Sequence, residues 1–333
     1  MKTPSALENR QVTYSPAYTL VPTYECFNRC RYCNFRVDPG QDDWLSLEVA
    51  QQRLHWCRSQ GVIEILILSG EVHPRSDRRS AWCQHLYDLG QLALDMGFLP
   101  HTNAGPLSYG EMAKLKKVNV SMGLMLEQMT PALLQTVHRH APSKRPELRL
   151  QQLAWAGELG IPFTTGLLLG IGETEADWVE TLGAIAHVHQ QWGHIQEVIL
   201  QPHRLGSRQS WSATAIAPEQ LIRAVAIARE LLPADITLQI PPNLVEHPDV
   251  LIACLDAGAR DLGGLGPIDE VNPDYAHPEV AALAEVLAIA GYALTPRLPV
   301  YPHHDRWTAL PLQGTLQKWR QSLENGPGIA KSG

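Results

Sequence analysis

Tyr24-Glu25-Cys26-Phe27-Asn28-Arg29-Cys30-Arg31-Tyr32-Cys33-Asn34-Phe35-Arg36 gathers three of the chain's six cysteines into eight residues, at the spacing C-x₃-C-x₂-C. It follows a short apolar run, Thr19–Thr23, that has the length of a strand. Similar runs recur downstream at Glu64–Ser69, Leu99–Asn103, Val118–Met125, Pro162–Leu168, Glu197–Gln201, Ile236–Ile240 and Ala259–Leu262. Amphipathic stretches with apolar spacing near 3.6 separate them. Ser46-Leu47-Glu48 opens one helix, which Gly61 closes, and Glu173-Thr174 leads into another through Trp178 and Leu182 to about Trp192. Pro218 stands in the first turn of a third, where its missing N–H is harmless.

Eight strands, each followed by a helix, predict an α/β fold with a single (β/α)₈ barrel of the TIM type. An open doubly wound sheet would also alternate, but it usually carries a Gly-rich dinucleotide turn after its first strand. No such turn follows Thr23. No internal repeat or long linker divides the chain, so one domain is expected over residues 1–333, with a cysteine loop at 24–36 and a tail that frays from about Gly326. Reactive groups of such barrels collect at the carboxyl ends of the strands. There the sequence puts the cysteine loop, Ser69-Gly70-Glu71, Asn103, Glu127, Gly170–Glu173 and Gln201-Pro202-His203.

A composition of 44% hydrophobic and 18% charged residues supports a sizeable core, and the formal charge of −7 argues against nucleic acid as the partner. No apolar run reaches the length of a membrane span. The polar start, Met1 to Val12, lacks a signal segment, so a cytoplasmic protein is expected. Cys57, Cys83 and Cys254 lie in apolar helical patterns and read as core. The cysteine cluster instead points to metal or redox chemistry. Thiolates suit zinc or an iron–sulfur cluster. A closed zinc site or a ferredoxin cluster needs four ligands. No fourth cysteine is local, although His55 or Cys57 could fold back. Three thiolates on a cubane leave one iron open to an outside ligand. A zinc knuckle, in a colourless protein, and three bare thiols stay as the plainer readings.

The spacing, with Tyr32 just before the last cysteine, resembles the hallmark of radical S-adenosylmethionine (SAM) enzymes. The resemblance implies a [4Fe–4S] cluster held by Cys26, Cys30 and Cys33, whose open iron chelates S-adenosyl-L-methionine. Its electron then releases methionine and a 5′-deoxyadenosyl radical. Ser69, Gly70 and Glu71 stand where that family usually carries Gly-Gly-Glu against the methionine amino group, with serine replacing the first glycine. Glu127 resembles the strand-four acid that meets the ribose or amino group; the alternative is a solvated loop residue. Gly166–Glu173 matches the pattern G-x-I-x-G-x-x-E, with Leu168 at the isoleucine position. This implies a close backbone approach to the adenine at Gly170, with Leu168 or Ile171 packed on its face. Arg149 stands where related barrels pair an arginine with the methionine carboxylate, the alternative being a surface helix residue.

Segments Tyr14–Phe35, Ser121–Glu127, Gly166–Glu173, Gln239–Leu244, Asp261–Pro267 and Asp269–Pro273 are similar to the CofG-type subunits of deazaflavin (F0) synthase, so the likeness covers about Tyr14 to Arg297. That family implies the synthesis of 7,8-didemethyl-8-hydroxy-5-deazariboflavin from an adduct of a hydroxybenzyl group and a ribitylaminouracil, with loss of ammonia. It also implies a companion subunit that forms the adduct and an electron donor of the ferredoxin or flavodoxin type. Arg29, Arg31 and Arg36 read either as the donor's dock or as a solvated rim. Gln201, His203, Asn243 and Asp261, read as ending strands at one barrel face, are candidates for the substrate's uracil, ribityl and phenol groups. Each could instead cap a loop, Asp261 the Gly263-Gly264 turn. His303-His304 reads as surface. Rival readings are the companion subunit itself, a biotin- or thiamin-pathway relative, and an electron-transfer iron–sulfur protein.

Overall fold

Alternation of side chains along each strand decides how this chain closes on itself. In the computed structural model, which describes residues 10–209, 211 and 215–325, eight parallel strands form a closed ring. They are β1 (Gln11–Leu20), β2 (Glu64–Leu68), β3 (Leu99–Asn103), β4 (Ser121–Gly123), β5 (Phe163–Leu169), β6 (Ile195–Pro202), β7 (Thr237–Gln239) and β8 (Asp261–Leu265). Neighbours in sequence are neighbours in the ring, and β8 returns to β1. The tail expected to fray from Gly326 lies outside the described residues.

Helices α1 (Leu47–Ser59), α2 (Arg79–Asp95), α3 (Tyr109–Leu115), α4 (Pro146–Glu158), α5 (Glu175–Trp192), α6 (Pro218–Leu231), α7 (Pro248–Asp256) and α8 (Val280–Ile289) alternate with the strands. Their ends follow local chemistry. Ser46 accepts the Val49 amide at the start of α1. Thr174 and Asp177 form a reciprocal capping box on α5, which ends at Gly193 with φ 67°. Outward strand residues such as Ile65, Ile67, Val198 and Leu200 pack beneath these helices, together with Cys57, Cys83 and Cys254. Inward residues, among them Glu64, Leu66, Glu197 and Ile199, line the interior instead.

The first strand begins at Gln11, well before the expected Thr19, and ends at Leu20. It serves three partners. β8 pairs along one edge, while the other edge is shared by β9 (Ala293–Pro296), against Gln11 to Tyr14, and β2, against Ala17 to Leu20. Pro16 lies at the changeover, so its missing N–H breaks no ladder bond there, while its carbonyl accepts Ile63 N–H at 2.8 Å. β9 was not expected from the sequence. α9 (Leu310–Glu324) packs Leu312 and Leu316 with Leu99 and Val120 in a second small core. The fourth strand is shorter than Val118–Met125, because Lys116–Val118 forms a 3₁₀ turn. His304 is buried against the Gly193 carbonyl at 2.9 Å, which corrects the surface reading for that residue. Among the described residues no helix is long and apolar enough to cross a membrane.

Candidate active site

The cysteine loop leaves β1 and folds over the barrel mouth. Backbone bonds hold it on two sides: Phe27 N–H donates to Glu71 at 3.0 Å, Arg29 to His140 at 2.7 Å and Arg31 to Val137 at 3.1 Å. Gly70 is needed beneath it, since a Cβ there would lie 2.1 Å from the Glu25 carbonyl oxygen. Asn28 ties the loop to two segments, donating to Glu71 Oε2 at 2.8 Å and accepting the Ser143 amide at 3.1 Å. Glu25, buried, is met by Arg78 at 2.7 Å.

Cys26, Cys30 and Cys33 are partly exposed free thiols. Burial, reinforced by Glu71, pushes the Cys26 thiol up to about 11. Burial raises Cys30 to about 12, with Lys144 pulling the other way. Thiols so raised stay protonated at neutral pH unless a cationic centre displaces the proton. Among the described residues no three His, Cys, Asp or Glu side chains converge tightly enough for a single metal ion. The thiols are close enough to feel one another's charge. Three soft donors on one loop fit zinc or an iron–sulfur cluster by their chemistry.

Beside this loop a single pocket is lined by Tyr32, Cys33, Ser69, Glu71, Glu127, Arg149, Leu168, Gln201 and His203. Nine of the expected site residues are therefore brought together, from the cysteine loop, from α4 and from the ends of strands two, four, five and six. Glu127 is the centre of a charged knot. It accepts Tyr32 Oη and Lys144 Nζ, and lies 3.9 Å from Arg149 and 3.7 Å from His138. Burial disfavours its charge, but Lys144, His138 and Arg149 outweigh that and hold its carboxyl well below the usual range. Arg149 is 2% exposed, donating to the Ser143 carbonyl at 3.2 Å, the Met125 carbonyl and Glu71 at 3.4 Å. Neither Glu127 nor Arg149 is the solvated residue of the alternative readings.

Ser69 accepts the Trp82 indole at 3.0 Å. Gly170, at φ 88°, gives its amide to Glu173 at 2.7 Å, and Ile171 does the same at 2.8 Å. Ile171 is fully buried on Leu133 and Val137, so Leu168 alone of the two faces the pocket. His203 bonds Gln209 at 2.9 Å and sits edge-on to Tyr32. Asn243 donates to Asp269 at 2.8 Å and lines a second, deeper pocket that shares Gln201 with the first. Asp261 opens β8 rather than ending it. Its carboxylate, fully buried, accepts Arg297, Thr13 and the Gly263 amide, so it caps the Gly263 turn and lies away from the mouth. His138, Ser143 and Lys144, which the sequence reading missed, come from the irregular segment between β4 and α4, where no periodicity or motif marks them.

A model of the Radical SAM superfamily matches residues 20–185. Across 309 residues the chain is 64% identical to the 7,8-didemethyl-8-hydroxy-5-deazariboflavin synthase of Trichormus variabilis, covering 93% of this chain and 91% of that one. The protein of the same description from Synechococcus elongatus is 66% identical over 299 residues, covering 90% and 89%. The chain belongs to this synthase family of radical SAM enzymes. Its barrel also superposes on the FeFe-hydrogenase maturase HydG from Carboxydothermus hydrogenoformans with a TM-score of 0.74, at 20% identity, over 95% of this chain and 75% of that one. At that identity the likeness speaks for the fold alone. Membership of the family accounts for the C-x₃-C-x₂-C loop and the pocket beside it in one protein.

Proposed function

We propose that this chain makes 7,8-didemethyl-8-hydroxy-5-deazariboflavin, acting on 5-amino-5-(4-hydroxybenzyl)-6-(D-ribitylimino)-5,6-dihydrouracil with release of ammonia, as a carbon–nitrogen lyase of the cytoplasm. Cys26, Cys30 and Cys33 hold a [4Fe–4S] cluster, and SAM lies in the pocket beside Cys33. The observation that carries the reading is one cavity bounded by Cys33, Glu71, Glu127, Arg149 and Leu168, in a chain more than 60% identical to relatives described as this synthase.

When bound, the cluster supplies the electron that splits SAM into methionine and the 5′-deoxyadenosyl radical. The chain's own residues bind and shield. Lys144 and Arg149 offer cationic donors to a carboxylate. Glu71 and Glu127 offer acceptors to an ammonium or to ribose hydroxyls. Leu168 presents an apolar face to the adenine, and Ser69 and Gly70 shape the backbone beneath the methionine. The barrel wall, once substrate fills the space within it, keeps water and stray hydrogen donors from the reacting carbon. His203, Gln201 and Asn243 face the substrate.

The adduct comes from a companion subunit. The donor, an acidic ferredoxin or flavodoxin, meets the outer face of the loop, where Arg29, Arg31, Arg139 and Arg208 surround a depression that reaches Cys30 and Cys33. Arg29 and Arg36 are already paired with Asp38 there, so Arg31, Arg139 and Arg208 carry most of the attraction.

Anaerobic reconstitution with iron and sulfide, followed by SAM, dithionite and the synthetic adduct, tests this. Fluorescent deazaflavin and 5′-deoxyadenosine are expected, both lost in Cys30→Ala. Deoxyadenosine without deazaflavin would overturn the substrate, and a colourless protein yielding neither would overturn the cluster.

A further inference from the structure

TIM-type barrels are commonly filled by inward-pointing branched side chains, which make the interior a packed core. This one is not filled. Its inward positions include Ala17 on β1, Gly123 on β4, Thr164 on β5 and Gly264 on β8, and the space they leave is a channel down the barrel axis. The channel meets the mouth pocket at Asn103, Met125 and Gln201, which line both. Gly123 is required for it: a Cβ there would lie 2.9 Å from the His101 ring.

The floor of the channel is polar. Arg297 donates to Glu197 at 2.8 Å and to Asp261 at 2.6 and 2.8 Å. Thr164 donates to Glu197 at 3.3 Å, and the Gln239 amide reaches the same carboxylate at 3.2 Å. Glu64, 8% exposed, and His101, 7% exposed, complete the ring. Burying so many polar groups is costly unless each finds a partner. Apolar side chains would have closed this end more cheaply, so the floor is built for a ligand that both donates and accepts hydrogen bonds.

The charge balance narrows that ligand. One arginine faces Glu64, Glu197 and Asp261, and burial with Arg297 nearby keeps His101 neutral, its value pushed down to about 3. Burial and the neighbouring Asp261 raise Glu197 well above the usual carboxylate range in spite of Arg297. The floor therefore has no surplus cation for a phosphate or carboxylate. A chain of neutral hydroxyls matches a neutral imidazole, an amide and a carboxyl group, each able to give or take a bond. Along β6 the four steps from Glu197 to Gln201 span about 13 Å, room for a five-carbon polyol with a ring above it.

We infer that the channel binds the substrate's polyhydroxylated chain, which enters first and unphosphorylated, its hydroxyls meeting Glu64, His101, Glu197 and Gln239 on the floor. This rests on the deazaflavin reading and extends it. The ring system then stops level with Gln201 and Asn103, under the SAM pocket.

Fluorescence titration of the reconstituted protein with the deazaflavin product tests the inference. The product is compared with an N-methyl analogue lacking the ribityl chain, a 5′-phosphorylated ribityl form and an analogue lacking the ring hydroxyl. Parent protein should favour the ribityl compound over the methyl and phosphorylated ones by at least about tenfold, the worth of one or two net hydrogen bonds. His101→Leu and Gln239→Leu should bring the ribityl-to-methyl ratio close to one while leaving discrimination at the ring hydroxyl intact. Thr164→Val, a smaller change, should lower the ratio part-way and stands in if the others fail to fold. Equal affinity for ribityl and methyl forms, tight binding of the phosphate, or floor substitutions that alter only the ring hydroxyl would each overturn the assignment. If parent protein bound none of the deazaflavins and formed none, the deazaflavin reading would fall with it; binding without ribityl preference would overturn this inference alone.

Discussion

Glu127, with φ 68° the one non-glycine residue at positive φ among the described residues, accepts a hydrogen bond from Tyr32, the neighbour of Cys33. A strained backbone four residues beyond β4 thereby aims its carboxylate at the cysteine loop, and Lys144, from the segment before α4, and Arg149, from α4 itself, close on it. Strain of this kind persists only where surrounding contacts fix it.

That arrangement predicts an ordering of variants. A left-handed backbone costs an L-residue roughly 1–2 kcal/mol, which glycine largely escapes. Glu127→Ala keeps the strain and leaves Lys144 buried without its carboxylate, a loss of about 3–5 kcal/mol. Glu127→Gly should lose about 1 kcal/mol less than the alanine variant in urea unfolding of the cluster-free protein. Alanine equal to or better than glycine would show that the position is not strained.

Most of the fold was legible because strand and helix periods are local. β3 and α5 fall where Leu99–Asn103 and the Thr174-initiated pattern put them. β1 did not, because Pro16 and the polar alternation Gln11-Val12-Thr13-Tyr14 disguise a strand that only makes sense with three partners. The site was legible where a short motif carries it, in the cysteine loop, Glu71 and Leu168. Lys144, His138 and Ser143 converge on it from an aperiodic stretch, and that convergence exists only in three dimensions. Asp261 shows the opposite case: the sequence puts it at the end of its strand, whereas it opens β8.

Gly70 offers a test of how the loop is seated. An alanine Cβ 2.1 Å from the Glu25 carbonyl must push the start of the cysteine loop outward, whereas Gly61, at φ 69°, has open space around it. Overpacking of this kind costs about 1–3 kcal/mol. Gly70→Ala should reduce iron bound on reconstitution, and Gly61→Ala should lose stability by about 1 kcal/mol with full iron. Full iron in Gly70→Ala would mean that the loop position does not depend on this contact.

Buried histidines set an acid limit. An unfolded histidine takes up its proton near pH 6.5. His194, fully buried, is pushed down to about 3 by burial and then by His189. Between those values the unfolded chain binds more protons than the native one, so stability is complete above about pH 6.5 and falls as the pH drops toward 3. By pH 5 the loss is about 2 kcal/mol for such a group. His194→Leu should therefore lose about 2 kcal/mol less than the parent between pH 7.5 and pH 5 in urea titrations. Identical losses would show that His194 reaches water in the native state.

Arg149 separates a structural role from a binding one. Its guanidinium spans the Ser143 carbonyl, the Met125 carbonyl and Glu71 at once, a fork that one ammonium cannot reproduce. Arg149→Lys should thus lose about 1–3 kcal/mol of stability whatever the ligand. If the guanidinium also meets the SAM carboxylate, the KM for SAM in reductive cleavage without substrate should rise at least about tenfold, with a smaller change in kcat. A folded, iron-loaded Arg149→Lys enzyme with the parent's KM would confine this arginine to holding β4 against α4. The carboxylate would then fall to Lys144, and Lys144→Met should show the KM effect in its place.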